Sequence, residues 1–108
     1  MQIVYLLQAG ELGPVLIGTA TERGFKRKLD SIQAHNHEVL HIRELLDGDE
    51  RLERHLHVTL GQHHRRGDWY EPTCLADVPP ELERVAFDED EERRRLAMLD
   101  MRDILADT

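Results

Sequence analysis

Hydrophobic positions in this chain change their period several times, and each change marks an element. Ile3 to Gln8 is a short apolar run of strand formers, and Val15 to Thr19 is a second. Between them Ala9-Gly10-Glu11-Leu12-Gly13-Pro14 carries turn residues, so the two runs predict a β-hairpin. Both faces of the first run are apolar, with Ile3, Tyr5 and Leu7 on one side and Val4 and Leu6 on the other, as in a strand covered from both sides. From Phe25 to Ala34 the spacing becomes helical. Phe25, Leu29 and Ile32 follow i, i+4, i+7, and Lys26, Arg27 and Lys28 lie largely outside that stripe. Val39 to Leu46 predicts a third strand, and Asp47-Gly48-Asp49 a turn that also caps the next helix.

That next helix, predicted over about Asp49 to His63, has the clearest pattern. Leu52, Leu56 and Leu60 repeat every four residues as a buried face, and Glu53 and His57 stack along its edge. Arg66-Gly67-Asp68-Trp69-Tyr70 then reads as a loop entering a short extended piece. Pro72, Pro79 and Pro80 break the chain after that piece and divide it into a body over 1–78 and an extension over 79–108. The extension carries Asp88-Glu89-Asp90-Glu91-Glu92 followed by Arg93-Arg94-Arg95, an order that suits a helix dipole. Leu96, Met98, Leu99, Ile104 and Leu105 give this helix a weak apolar stripe, open to a solvated role or to a partner-binding or DNA-mimicking arm.

Composition changes the picture in three places. The chain has 108 residues, enough for one small domain and too few for a barrel or a repeat array. It holds a single cysteine, Cys74, and Met1-Gln2-Ile3 lacks the basic start of a signal peptide, so a cytoplasmic location is the expectation. No apolar run reaches the ~20 residues of a membrane span. The formal net charge of -8 argues at first against nucleic acid. However, residues 1–74 hold 9 Lys and Arg against 11 Asp and Glu, whereas residues 75–108 hold 5 against 11. The acidity therefore belongs mainly to the extension, and DNA stays possible as a partner of the body.

Four features of the body could carry chemistry: Tyr5, the basic group Lys26-Arg27-Lys28, the pair Glu53 and His57, and the loop Arg66 to Tyr70. A carboxylate, cations and a phenol or imidazole are what metal-assisted phosphate chemistry needs, since the carboxylate holds a hard cation and the others bind the anion or handle water. His55, His57, His63, His64 and Cys74 also invite a structural zinc reading, but they lack the paired short spacings of such sites.

Taken in order, Val4-Tyr5-Leu6-Leu7-Gln8-Ala9-Gly10 and Gly13-Pro14-Val15-Leu16-Ile17-Gly18 resemble the paired strand motifs of the GIY-YIG nuclease superfamily. Within it the compact phage and bacterial branch is the nearer match. Leu52-Glu53-x-x-Leu56-His57-x-x-Leu60 and Arg66-Gly67-Asp68-Trp69-Tyr70 are similar to later motifs of that branch, so the resemblance covers about residues 3–72. It implies an α+β fold, a three-stranded antiparallel sheet flanked by helices, here with an acidic helical extension. It also implies hydrolysis of DNA phosphodiester bonds with one Mg2+ or Mn2+, in a phage or mobile-element setting. By that resemblance Tyr5 positions or activates water, Lys28 takes the place of a catalytic arginine, Glu53 binds the metal and His57 orients water or phosphate. Gly18, Arg23, Arg27, Arg66 and Trp69 fall on the substrate side.

Two departures stand out. Leu16 occupies the place of the second-motif tyrosine or lysine, and Lys28 offers a point charge where arginine would offer a fork. A domain of this type that binds DNA or protein without cleaving is therefore the rival expectation.

Overall fold

The computed structural model describes residues 1–106, with side chains through Met101. Its centre is β1, Gln2–Ala9, buried along all but its first residue. β2 (Val15–Thr21) pairs antiparallel with it on one side, and β3 (Leu40–Asp47) on the other. The double-sided apolar pattern of β1 thus reflects a central strand. Gly10, at φ +67, makes the backbone reversal between β1 and β2 that an L side chain resists.

The sheet has five strands, in the order β3-β1-β2-β5-β4, and this corrects the three-stranded expectation. β4 (His64–Arg66) and β5 (Trp69–Tyr70) form a miniature hairpin around Gly67 at φ +56, and β5 pairs with Val15 and Leu16 of β2. The run His64-Arg65-Arg66 is exposed and polar on both faces, so it has no alternation to read. Only pairing with Trp69 and Tyr70 makes it a strand.

Helix α1 (Phe25–Ala34) and helix α2 (Glu50–Thr59) cover opposite faces of the sheet. On the α2 side Val4, Leu6, Val15, Ile17 and Leu46 meet Leu56 and Leu60, and Tyr70, Cys74 and Val78 close the cluster. On the α1 side Ile3, Tyr5, Leu7, Leu40 and Leu45 meet Leu29. α2 stops at Thr59, four residues short of the expected end, because the chain tightens into a 3-10 turn at Gly61–His63. Asp49 caps α2 by accepting a hydrogen bond from the Arg51 N–H at 2.8 Å.

A second 3-10 stretch, Pro72–Asp77, packs Cys74 into the α2-side core. Burial pushes its thiol up to about 11, with Asp77 adding to the effect. At pH 8 only about 0.1% of such a thiol is ionised. Native protein should therefore react with a thiol-exchange reagent only as fast as it opens, and denatured protein at once. Rapid labelling of the native form would contradict the buried placement.

Residues beyond the double proline return to the sheet. The Asp47 N–H donates to Glu83 O and the Val85 N–H to Leu45 O, so this stretch lies along the outer edge of β3. Helix α3 (Glu89–Ala106) comes next, with Asp88 Oδ1 accepting from the N–H groups of Asp90 and Glu91. Among the described residues two polar contacts fasten α3 to the body: Lys26 of α1 meets Glu91 at 2.5 Å, and the Arg95 guanidinium donates to Leu40 O. Leu96 and Leu99 are half-buried and Met98 is exposed, while the Ile104 and Leu105 side chains fall outside the described residues. Among the described residues no helix is long and apolar enough to cross a membrane.

Candidate active site

β5 pairs with β2 at Val15 and Leu16, so among the described residues this β2 edge has no strand partner from Gly18 onward. Three elements converge beside that opening. Tyr5 stands opposite Gly18 on β1, and its ring lies over the glycine: a Cβ at position 18 would sit 2.3 Å from the Tyr5 hydroxyl. Gly18 therefore keeps its place because the phenol occupies the space of a side chain. Phe25, at the start of α1, holds the other side of the Tyr5 ring at 5.8 Å between centroids.

α2 carries Glu53 and His57, and the charge of Glu53 reaches the Tyr5 phenol. The spacing that buries Leu52, Leu56 and Leu60 leaves these two at the rim of the core, both partly exposed. His57 Nε2 lies 3.4 Å from Glu53 Oε1 and 3.9 Å from Asp68 Oδ1. Asp68 comes from the tip of the β4–β5 hairpin, directly after the left-handed Gly67. Its backbone carbonyl accepts from the Ile17 N–H at 3.1 Å, which ties the tip to β2. The other imidazole nitrogen of His57, Nδ1, is hydrogen-bonded to the buried Tyr70 hydroxyl. Among the described residues, Glu53, His57 and Asp68 are the one group of His, Cys and carboxylate side chains with metal-ligand proximity, their donor atoms all within 4.8 Å. His55, His63, His64 and Cys74 do not join it; His63 instead meets Asp77 at 2.6 Å.

The electrostatics derive from this convergence. Burial raises the Tyr5 phenol above its ordinary value, and the charges of Glu53 and Asp68 raise it further. Tyr70 is raised in the same way, by burial first and then by Asp68. Both phenols keep their protons at neutral pH, so Tyr5 offers an O–H that can orient a water or a phosphate oxygen.

The remaining residues expected at the site lie on α1, in the turn before it and on the β4–β5 hairpin. Lys28 and Arg27 lie exposed near the start of α1, Arg23 is exposed in the turn before it, and Arg66 is exposed on β4. Trp69 is half-buried and packs with Leu16 against the α1-side core, which makes it part of the scaffold under the hairpin. Sequence reasoning assigns no individual role to two members of the site, Asp68 and Tyr70. A Gly-Asp step at a hairpin tip is the signal that points to Asp68, once β4 is known to be a strand. Nothing in the spacing of Tyr70 shows that its hydroxyl reaches α2.

No protein-family profile matches the chain, and neither a curated protein nor a solved structure matches it.

Proposed function

We propose that the protein is a divalent-metal-dependent endonuclease of the GIY-YIG type, hydrolysing phosphodiester bonds in DNA. The observation that supports this most is the Glu53, His57 and Asp68 cluster, with Tyr5 packed on Gly18 and near enough for the charges of Glu53 and Asp68 to act on its phenol. The motif resemblance pairs Tyr5, Gly18 and Glu53. A magnesium or manganese ion held by Glu53 would neutralise charge on the phosphate and polarise it toward attack.

The chain's own groups take the other tasks. Tyr5, held over Gly18 and protonated, orients the attacking water by hydrogen bonding. Lys28, Arg27 and Arg23 hold the phosphate backbone through charge, and Arg66 does so from the hairpin side. The direct test is nicking of supercoiled plasmid by purified protein with magnesium or manganese, stopped by a chelator. Metal-dependent nicking supports the reading; DNA binding without nicking favours the non-cleaving rival. That rival has one observation behind it: Leu16, where related motifs place a polar side chain, is half-buried and packs with Trp69 against the core.

The acidic start of α3 bears on either form. Glu91 already occupies Lys26, next to the proposed phosphate contacts, and adds a hydrogen bond that raises the lysine's pKa. Replacing Glu89→Gln, Asp90→Asn and Glu91→Gln together should tighten DNA binding roughly tenfold at ~50 mM salt and have little effect at ~300 mM, as expected for a screened charge effect. Fluorescence anisotropy across a salt series measures it, and an unchanged affinity at low salt would show that α3 does not oppose DNA binding.

A further inference from the structure

We infer that Glu53, His57 and Asp68 form a three-ligand centre for a zinc-class transition cation, with Tyr70 setting the histidine tautomer. The centre lies in the same site as the nuclease reading, but it does not need DNA cleavage to exist.

Three observations carry it. The first is distance. With bonds of about 2.1 Å to nitrogen and oxygen and a tetrahedral angle, ligand atoms around zinc stand about 3.4 Å apart. His57 Nε2 and Glu53 Oε1 are 3.4 Å apart, and Asp68 Oδ1 stands 3.9 Å from the same nitrogen. Asp68 is 67% exposed at a hairpin tip, so a small side-chain rotation closes the remaining gap. The 3.4 Å pair is a long hydrogen bond and the 3.9 Å pair lies beyond one, spacings that leave room for a cation between the three atoms.

The second is the tautomer. Nδ1 of His57 is engaged by a hydroxyl that is itself buried, which leaves Nε2 pointing at two carboxylates. In the metal-binding form Nδ1–H donates to the Tyr70 oxygen and Nε2 presents its lone pair. An outer partner of this kind fixes the ring and raises its basicity toward the metal.

The third is the donor set. An imidazole with two carboxylates suits zinc, cobalt or manganese, whereas magnesium prefers oxygen alone and keeps most of its water. Three protein ligands also leave positions open, as in catalytic rather than structural sites. His57 is thereby a ligand, and the handling of water falls to Tyr5.

The experiment is titration of the metal-free full chain with Zn2+, Co2+, Mn2+ or Mg2+ alone, by calorimetry and by the visible absorption of bound Co2+. One equivalent of zinc should bind at least ~100-fold more tightly than magnesium. Asp68→Asn, at an exposed tip that the fold does not depend on, should weaken zinc by about tenfold or more. His57→Ala should cost about 100-fold and remove the cobalt band. Tyr70→Phe, which keeps the ring, should cost about 10- to 100-fold while leaving the fold intact. His55→Ala, on the outer face of α2, should change nothing. Equal affinity for zinc and magnesium, or zinc binding that survives both Asp68→Asn and His57→Ala, would overturn the centre. Tight zinc binding in a protein that nicks no DNA under any metal would keep the centre and overturn the nuclease reading.

Discussion

Glu53→Gln is expected to slow plasmid nicking by at least about 100-fold while the thermal midpoint stays close to that of the wild type. The substitution keeps the shape of the side chain and removes its charge. Glu53 lies at the rim of the core with about a fifth of its side chain exposed, so the fold does not depend on that charge. The proposed activity does, because the carboxylate is the group that would hold the cation. Losing about 3 kcal/mol of charge stabilisation on the phosphate corresponds to roughly two powers of ten in rate. Nicking that continued undiminished in Glu53→Gln would place the activity elsewhere or in a contaminant. Affinity for the metal should fall in the same variant, so a loss of nicking with metal binding intact would also speak against Glu53 as ligand.

The second large effect is expected from Gly18→Ala. The added methyl would lie 2.3 Å from Tyr5 Oη and 2.5 Å from Cζ, well inside contact distance. Gly18 is not in a left-handed conformation, so the conflict is one of space rather than of backbone strain. Either the Tyr5 ring swings away or β2 moves. The ring is 4% exposed and braced by Phe25, so it has little room to swing. Overpacking of this kind costs about 1–3 kcal/mol, a fall of roughly 4–12 °C in the thermal midpoint. Because the displaced group is the phenol proposed to orient the water, nicking should fall by about 100-fold or more, even at temperatures where the variant is folded. A Gly18→Ala protein with wild-type midpoint and wild-type nicking would show that the hydroxyl is not needed where the structure places it.

The residues behind these two effects differ in how legible they are. The hairpin of β1 and β2, the stripe of Phe25, Leu29 and Ile32, and the Leu52, Leu56, Leu60 face are all readable, because burial on one face imposes its period on the sequence. The same rule marks Glu53 and His57 as rim residues of α2. It fails at His64–Arg66, where a three-residue strand buries no side chain and leaves no pattern. It fails again at the end of α2, where Leu60 keeps the helical spacing as the cap residue and the chain tightens directly after it, at Gly61.

Pattern and turn residues alone place the elements up to β3 and α2 and the long acidic helix, and they mark side chains of the types that phosphate chemistry uses. Their meeting was decided by tertiary structure. Tyr5 and Gly18 face each other because β1 and β2 share one register, and a slip of one residue would put the phenol on the opposite face. Asp68 joins Glu53 and His57 because Gly67 turns the short hairpin back onto β2, fifteen residues from Glu53 along the chain. Periodicity records which face of an element is buried, but it carries no information about which rims of different elements touch. The second histidine nitrogen, answered by the Tyr70 hydroxyl, belongs to that class of fact, and so does the grip of Glu91 on Lys26.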